Sequence, residues 1–195
     1  MRVKICGITR ADDARAAEAA GTDAIGVVVC SDEVSVRSVP LEYAGEIFDA
    51  VGPLTTTVAV THTERESDLD DILSLRPDAV QISHPFPVPR RGCRILRVIR
   101  SNDTVPADCD AVILDESHGR GQCYDPVAAI RLVRTSRVPV ILAGGLTPDN
   151  VADAIAAVGP YAVDVCSGVE IRPGVKDHRR IDAFLKAAGR LQQER

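Results

Sequence analysis

The chain has 195 residues, 45% of them hydrophobic, enough to bury one substantial core, so one domain spanning 1–195 is the default reading. Its net charge of −5 comes from 23 basic and 28 acidic side chains spread along the sequence, which argues against a nucleic-acid surface or a basic membrane patch. No apolar stretch approaches the ~18 residues of a membrane span.

Met1-Arg2-Val3-Lys4 runs directly into a strand pattern at 3–6, leaving no room for a signal peptide, and a cytoplasmic protein is expected. Cys6 ends that apolar run, and Thr9-Arg10-Ala11-Asp12 then reads as a capping box opening a helix at 12–20, stopped by Gly21. A thiol between a strand end and a helix start faces backbone N–H groups and a positive dipole end, which favour the thiolate; the plainer alternative is a small buried hydrophobe. A second strand at 24–29 leads to Ser35-Val36-Arg37 and, after Pro40, a helix at 41–51. The third strand, 55–60, precedes Thr63-Glu64-Arg65-Glu66, a capping box for a helix running to about residue 75.

The fourth strand, 79–82, carries Gln81. Pro85, Pro87 and Pro89 rule out an ordinary helix after it, and the short segment 101–110 with Pro106 after the fifth strand, 95–99, is equally poor. The sixth strand, 111–114, ends at Asp115, and Asp125 caps a helix at 126–134. The seventh, 138–142, runs into Gly144-Gly145, followed by a helix at 148–158 after Thr147. The eighth, 162–165, holds Asp164 and leads to Ser167-Gly168-Val169-Glu170, and Asp177 caps a last helix through about residue 189.

Continuous β-branched runs alternating with helices point to parallel strands buried on both faces. Eight of them in one domain favour a closed (β/α)8 TIM barrel, with the fourth and fifth helices shortened or replaced by loops. A doubly wound sheet would call for a Gly-rich fingerprint after the first strand, and Gly119-Arg120-Gly121 lacks the third glycine and follows the sixth. Six cysteines without a C-x-x-C pair suit reduced thiols, and four histidines without ligand spacing ask for no metal.

In a barrel the catalytic candidates stand at the C-terminal strand ends. Here these are Cys6, Arg37, Gln81, Asp115, Gly144-Gly145 and 164–168. The two glycine turns sit where barrels bind phosphate: Gly144 and Gly145 let backbone approach an anion, and Ser167 and Gly168 could begin a short helix aimed at it. Asp115, with apolar residues beneath it, suits a general acid, or else a cap or ion pair. Arg37 suits a bidentate carboxylate contact, although a lone loop arginine is more often solvated.

Lys4-Ile5-Cys6-Gly7-Ile8-Thr9, Ser35-Val36-Arg37, Val80-Gln81, Leu114-Asp115 with Gly119, Gly121 and Tyr124-Asp125, then 142–151 and 164–177 occur in an order and spacing that resemble phosphoribosylanthranilate isomerases, a tryptophan-biosynthesis family. The resemblance implies a cofactor-free, metal-free isomerase performing an Amadori rearrangement on a small sugar phosphate, as a monomer or homodimer. By the same resemblance Asp115 is the general acid and Cys6 the general base. Arg37 would hold the anthranilate carboxylate, Gly144, Gly145, Ser167 and Gly168 the phosphate, and Gln81, Gly119 and Gly121 would also contact substrate. Asp164 would touch a sugar hydroxyl or order the site. Ser83-His84, His118-Gly119-Arg120-Gly121 and Cys166, where a serine is usual, depart from the pattern. Rival readings are a histidine-pathway aminoaldose isomerase, which would use aspartate in place of Cys6, and a catalytically silent phosphate-binding barrel acting as an interaction partner.

Overall fold

Eight strands, β1 (Arg2–Ile5), β2 (Ala24–Val28), β3 (Thr56–Thr61), β4 (Ala79–Ile82), β5 (Arg94–Ile99), β6 (Ala111–Leu114), β7 (Val140–Leu142) and β8 (Ala162–Val165), pair in chain order and close into a barrel. Every rung is parallel, and the ring is sealed by β1 against β8, with Arg2 opposite Ala162 and Ile5 opposite Val165. The computed structural model describes residues 1–31, 35–89, 92–116 and 125–189. Among these, no helix is long and apolar enough to cross a membrane.

Side chains alternate across each strand, which divides the apolar residues into two sets. Ile5, Ile25, Val80, Ile95, Leu114, Leu142 and Val163 face outward and are buried beneath the outer layer of helices and loops. Full burial of each large one contributes about 1.5–3 kcal/mol. The inward set, from Cys6, Val28, Val58, Val60, Leu96, Ile113 and Ile141, forms a separate cluster inside the ring. At the N-terminal end this inner set includes Ala24, Ala79, Ala111 and Ala162, too small to fill the bore, and a cavity of about 470 Å³ opens there. It lies at the opposite end from the candidate residues.

The outer helices are α1 (Ala11–Ala19), α2 (Leu41–Asp49), α3 (Asp68–Ser74), α4 (Pro126–Thr135), α5 (Val151–Val158) and α6 (His178–Ala187). Asp125 and Asp177 cap α4 and α6 as expected, each carboxylate accepting from two backbone N–H groups. Two expected capping boxes do not form. Thr9 donates to the Gly174 carbonyl (2.6 Å), and α1 starts at Ala11 without a side-chain cap. Thr63 closes a local turn, accepting from the Arg65 N–H (3.0 Å) and donating to Asp68 (2.6 Å), so α3 begins only at Asp68. Likewise Thr147 to Asn150 is a turn, and α5 starts three residues later than proline placement suggests.

Neither β4–β5 nor β5–β6 contains a helix among the described residues. Arg97, on the outer face of β5 and buried, does the joining. Its guanidinium donates to the carbonyls of His84 (2.6 Å) and Phe86 (2.8 Å) and pairs with Asp108 (2.5 Å), tying both loops to the barrel wall. After β8 a one-turn 3₁₀ helix, Ser167–Val169, precedes a small antiparallel hairpin, β9 (Glu170–Arg172) and β10 (Val175–Lys176), whose turn contains Gly174 at φ 79°. The sequence reading did not include that hairpin.

Candidate active site

Cys6, Gln81, Asp115, Asp164 and Cys166 all fall on the inward register of their strands and stand near the C-terminal mouth. Cys6 extends the β1–β8 ladder by one rung, its N–H donating to the Val165 carbonyl (2.8 Å), and Asp115 extends β5–β6 in the same way toward Ile99 (3.1 Å). β1 and β6 are separated by β7 and β8, so the thiol and the Asp115 carboxyl approach from different sides of the ring. Arg37 reaches the mouth from the loop after β2, which an isolated bridge between Val28 and Ser38 holds against the barrel.

Cys6 is buried and in contact with Cys166. A hydrogen bond from Cys166 holds the Cys6 thiol well below its ordinary range, with the charges of Lys4 and Lys176 adding to it and burial opposing. The same hydrogen bond pushes Cys166 up. Beneath the thiol the Lys4 ammonium meets Asp164 at 2.9 Å, both side chains buried. Burial raises the Asp164 carboxyl to about 7; Lys4 opposes this, while the charges of Cys6 and Asp115 add to it. Asp164 therefore feels both the expected base and the expected acid.

Arg37 is not a solvated loop charge. Its Nε and Nη2 donate to the two carboxylate oxygens of buried Glu170 at 2.9 and 2.8 Å. The same carboxylate pairs with the fully buried Lys176 (3.1 Å), whose Nζ also donates to the Cys166 carbonyl (3.1 Å). Gly7, at φ 68°, makes room for this cluster: a Cβ there would lie 2.7 Å from the Cys166 Sγ and 3.0 Å from the Arg37 Cδ. Gln81 is buried, and its Oε1 has no hydrogen-bond partner among the described residues, leaving an acceptor directed into the bore.

The two glycine turns meet. Gly144 and Gly145 adopt φ of 88° and 66°, and Gly168 packs so tightly on the β7 loop that a Cβ would come within 2.0 Å of the Leu146 carbonyl oxygen. Asn150 braces the loop by donating to the Gly145 carbonyl (2.9 Å) and accepting from the Thr147 N–H (2.8 Å). Ser167 and Gly168 lie in the 3₁₀ turn beside it. Gly119 and Gly121 fall outside the described residues. Lys4, Lys176, Glu170 and Asn150 were missed by the sequence reading. A lysine on the inward register of a strand was a signal for the first, since a buried ammonium requires partners.

No group of three or more His, Cys, Asp and Glu side chains gathers as a metal site would need among the described residues. A profile of the family described as N-(5'phosphoribosyl)anthranilate (PRA) isomerase matches residues 3–187. The chain is 61% identical over 189 residues to N-(5'-phosphoribosyl)anthranilate isomerase of Methanoregula boonei, covering 96% of each. Phosphoribosyl anthranilate isomerase from Thermus thermophilus superposes with a TM-score of 0.86 at 32% identity, over 98% of this chain and all of that one. A second similar structure, at TM-score 0.81 and 31% identity over 98% of this chain and 100% of the other, is a phosphoribosyl anthranilate isomerase in complex with reduced 1-(o-carboxyphenylamino)-1-deoxyribulose 5-phosphate.

Proposed function

Since this chain belongs to the N-(5'-phosphoribosyl)anthranilate isomerase family, we propose that it rearranges N-(5-phosphoribosyl)anthranilate to 1-(2-carboxyphenylamino)-1-deoxyribulose 5-phosphate with Asp115 as acid and Cys6 as base. One observation carries the assignment: a cysteine held toward thiolate shares the barrel mouth with a carboxyl on a distant strand, and Asp164 interacts with both.

Asp115 protonates the furanose ring oxygen, the C1′–O bond breaks, and the nitrogen lone pair forms an iminium. The cation acidifies the C2′ proton, which the Cys6 thiolate removes to give an enolamine. Transfer of the C2′ hydroxyl proton and protonation at C1′ complete the ketone, so the overall change is an isomerisation. Each positioned proton transfer typically contributes about 10²–10⁴-fold.

Binding divides among the remaining groups. The Arg37 edge not gripped by Glu170 takes the anthranilate carboxylate. Gly144, Gly145, Ser167 and Gly168 present backbone N–H groups to the phosphate, the arrangement expected between the last two barrel loops. Gln81 offers its Oε1 to a sugar hydroxyl. The test is direct: phosphoribosylanthranilate generated in situ should lose its fluorescence when purified protein is added. No turnover above background would overturn the proposal.

A further inference from the structure

Lys4 and Cys6 are two residues apart on β1, so both side chains enter the bore. Gly26 faces them from β2. A Cβ on Gly26 would lie 3.0 Å from the Cys6 Sγ and 3.0 Å from the Lys4 Nζ, which puts the two groups within about 6 Å of each other. Asp164, the register partner of Lys4 on β8, fixes the ammonium from the other side at 2.9 Å. Three strands thus place a buried cation directly under the thiol. A lysine is costly to bury without anions around it, and here one carboxylate and one ionisable sulfur are available.

We propose that Lys4 is a positioning residue of the reaction: its ammonium, anchored by Asp164, is a fixed counter-charge that acts beside the Cys166 hydrogen bond to keep Cys6 ionised and ready to accept the C2′ proton. The inference rests on the reading of Cys6 as the base. Other groups face the sulfur as well: Cys166 from β8, Lys176 from β10 and Arg37 from the β2 loop, with Asp115 acting on Asp164. Lys176 and Arg37 share one carboxylate, Glu170, which offsets part of their charge. Asp164, raised to about 7, is only partly ionised near neutrality, so the Lys4 charge is not wholly committed to it.

The full chain carrying Lys4→Met or Asp164→Asn tests this. Thiolate absorbance near 240 nm is followed against pH, each variant being corrected by its own Cys6→Ser counterpart. Lys4→Met should raise the Cys6 midpoint by about one pH unit or more, and the acid limb of kcat/KM should move with it. Asp164→Asn, which retains the ammonium and removes an anion, should lower the midpoint or leave it in place. An ion pair with a purely structural role would not move the two variants apart. An unchanged Cys6 midpoint in folded Lys4→Met overturns the proposal. If that variant does not fold, Lys4→Met with Asp164→Leu removes both charges and fills the space, and the upward shift must persist there. Turnover retained in Cys6→Ser would instead sink the base assignment, and the titration would still report whether Lys4 sets the charge of the sulfur.

Discussion

Arg37 and Glu170 are locked edge to edge, Nε to Oε1 at 2.9 Å and Nη2 to Oε2 at 2.8 Å, and this grip determines what the arginine can offer a substrate. The guanidinium plane is fixed before anything binds, so little rotamer freedom remains to be lost on binding. Arg37→Ala should raise KM about tenfold or more and leave kcat nearly unchanged, because it removes a contact common to ground and transition states. Glu170→Ala should act on the fold as well. It strands both Arg37 and the fully buried Lys176, at a cost of about 3–5 kcal/mol, whereas Arg37→Ala leaves Lys176 paired. Urea denaturation of the two variants measures the difference. An Arg37→Ala effect confined to kcat would remove the arginine from substrate recognition.

Cys6→Ser and Asp115→Asn should each reduce kcat by about 10²–10⁴-fold with KM little altered. Serine retains the shape and a hydroxyl, but at neutral pH it does not carry the anionic character that Cys166, Lys4 and Lys176 induce in the sulfur. Asparagine retains the volume of Asp115 and has no acidic proton to deliver to the ring oxygen. Steady-state turnover, followed by loss of substrate fluorescence, separates the two parameters. A variant with near-normal kcat would exclude its residue from proton transfer.

The barrel was legible because burial on both faces writes β-branched runs into the sequence, and all eight strands fall within a residue or two of the expected spans. Helix starts were less legible. Thr9 and Thr63 have capping spacing, but tertiary partners, the Gly174 carbonyl and the Asp68 carboxylate, take their hydroxyls. Strand ends brought Cys6 and Asp115 forward as candidates, since a barrel's catalytic groups stand at that face. The supporting shell was hidden. Glu170 and Lys176 reach the mouth only because the hairpin after β8 folds back over Gly7, a contact between residues more than 160 apart. The turn at Arg172-Pro173-Gly174 was the local clue to it.

Gly168 has no room for a side chain. A Cβ there would lie 2.0 Å from the Leu146 oxygen and 3.2 Å from the Thr147 Cα, and both are backbone atoms that cannot swing aside. Gly168→Ala must therefore push the 3₁₀ turn away from the Gly144-Gly145 loop and open the proposed phosphate cradle. The expected result is a KM at least tenfold higher, weaker competitive inhibition by inorganic phosphate, and about 1–3 kcal/mol lower stability from overpacking. Unchanged phosphate inhibition would place the anion elsewhere.

Two buried carboxyls should bend the pH dependence of stability in opposite senses. Burial alone would raise Glu170, but Arg37 and Lys176 hold it below its usual 4.5. Between the folded value and 4.5 the unfolded chain binds more protons, so this contribution is present above about 4.5 and is lost as pH falls through the folded value. Asp164 behaves the other way. Raised by burial from 3.8 to about 7, it makes the folded state the better proton binder across that window, and stability declines as pH climbs from about 4 to about 7. Urea midpoints measured from pH 3 to 8 should separate the two. Glu170→Gln should flatten the acid limb, and Asp164→Asn should abolish the decline between pH 4 and 7. Because Lys4 stays charged throughout this range, a decline that survives in Asp164→Asn would have to come from a different carboxyl, and Asp164 would then be ionised at neutral pH with the Lys4 charge committed to it rather than to Cys6.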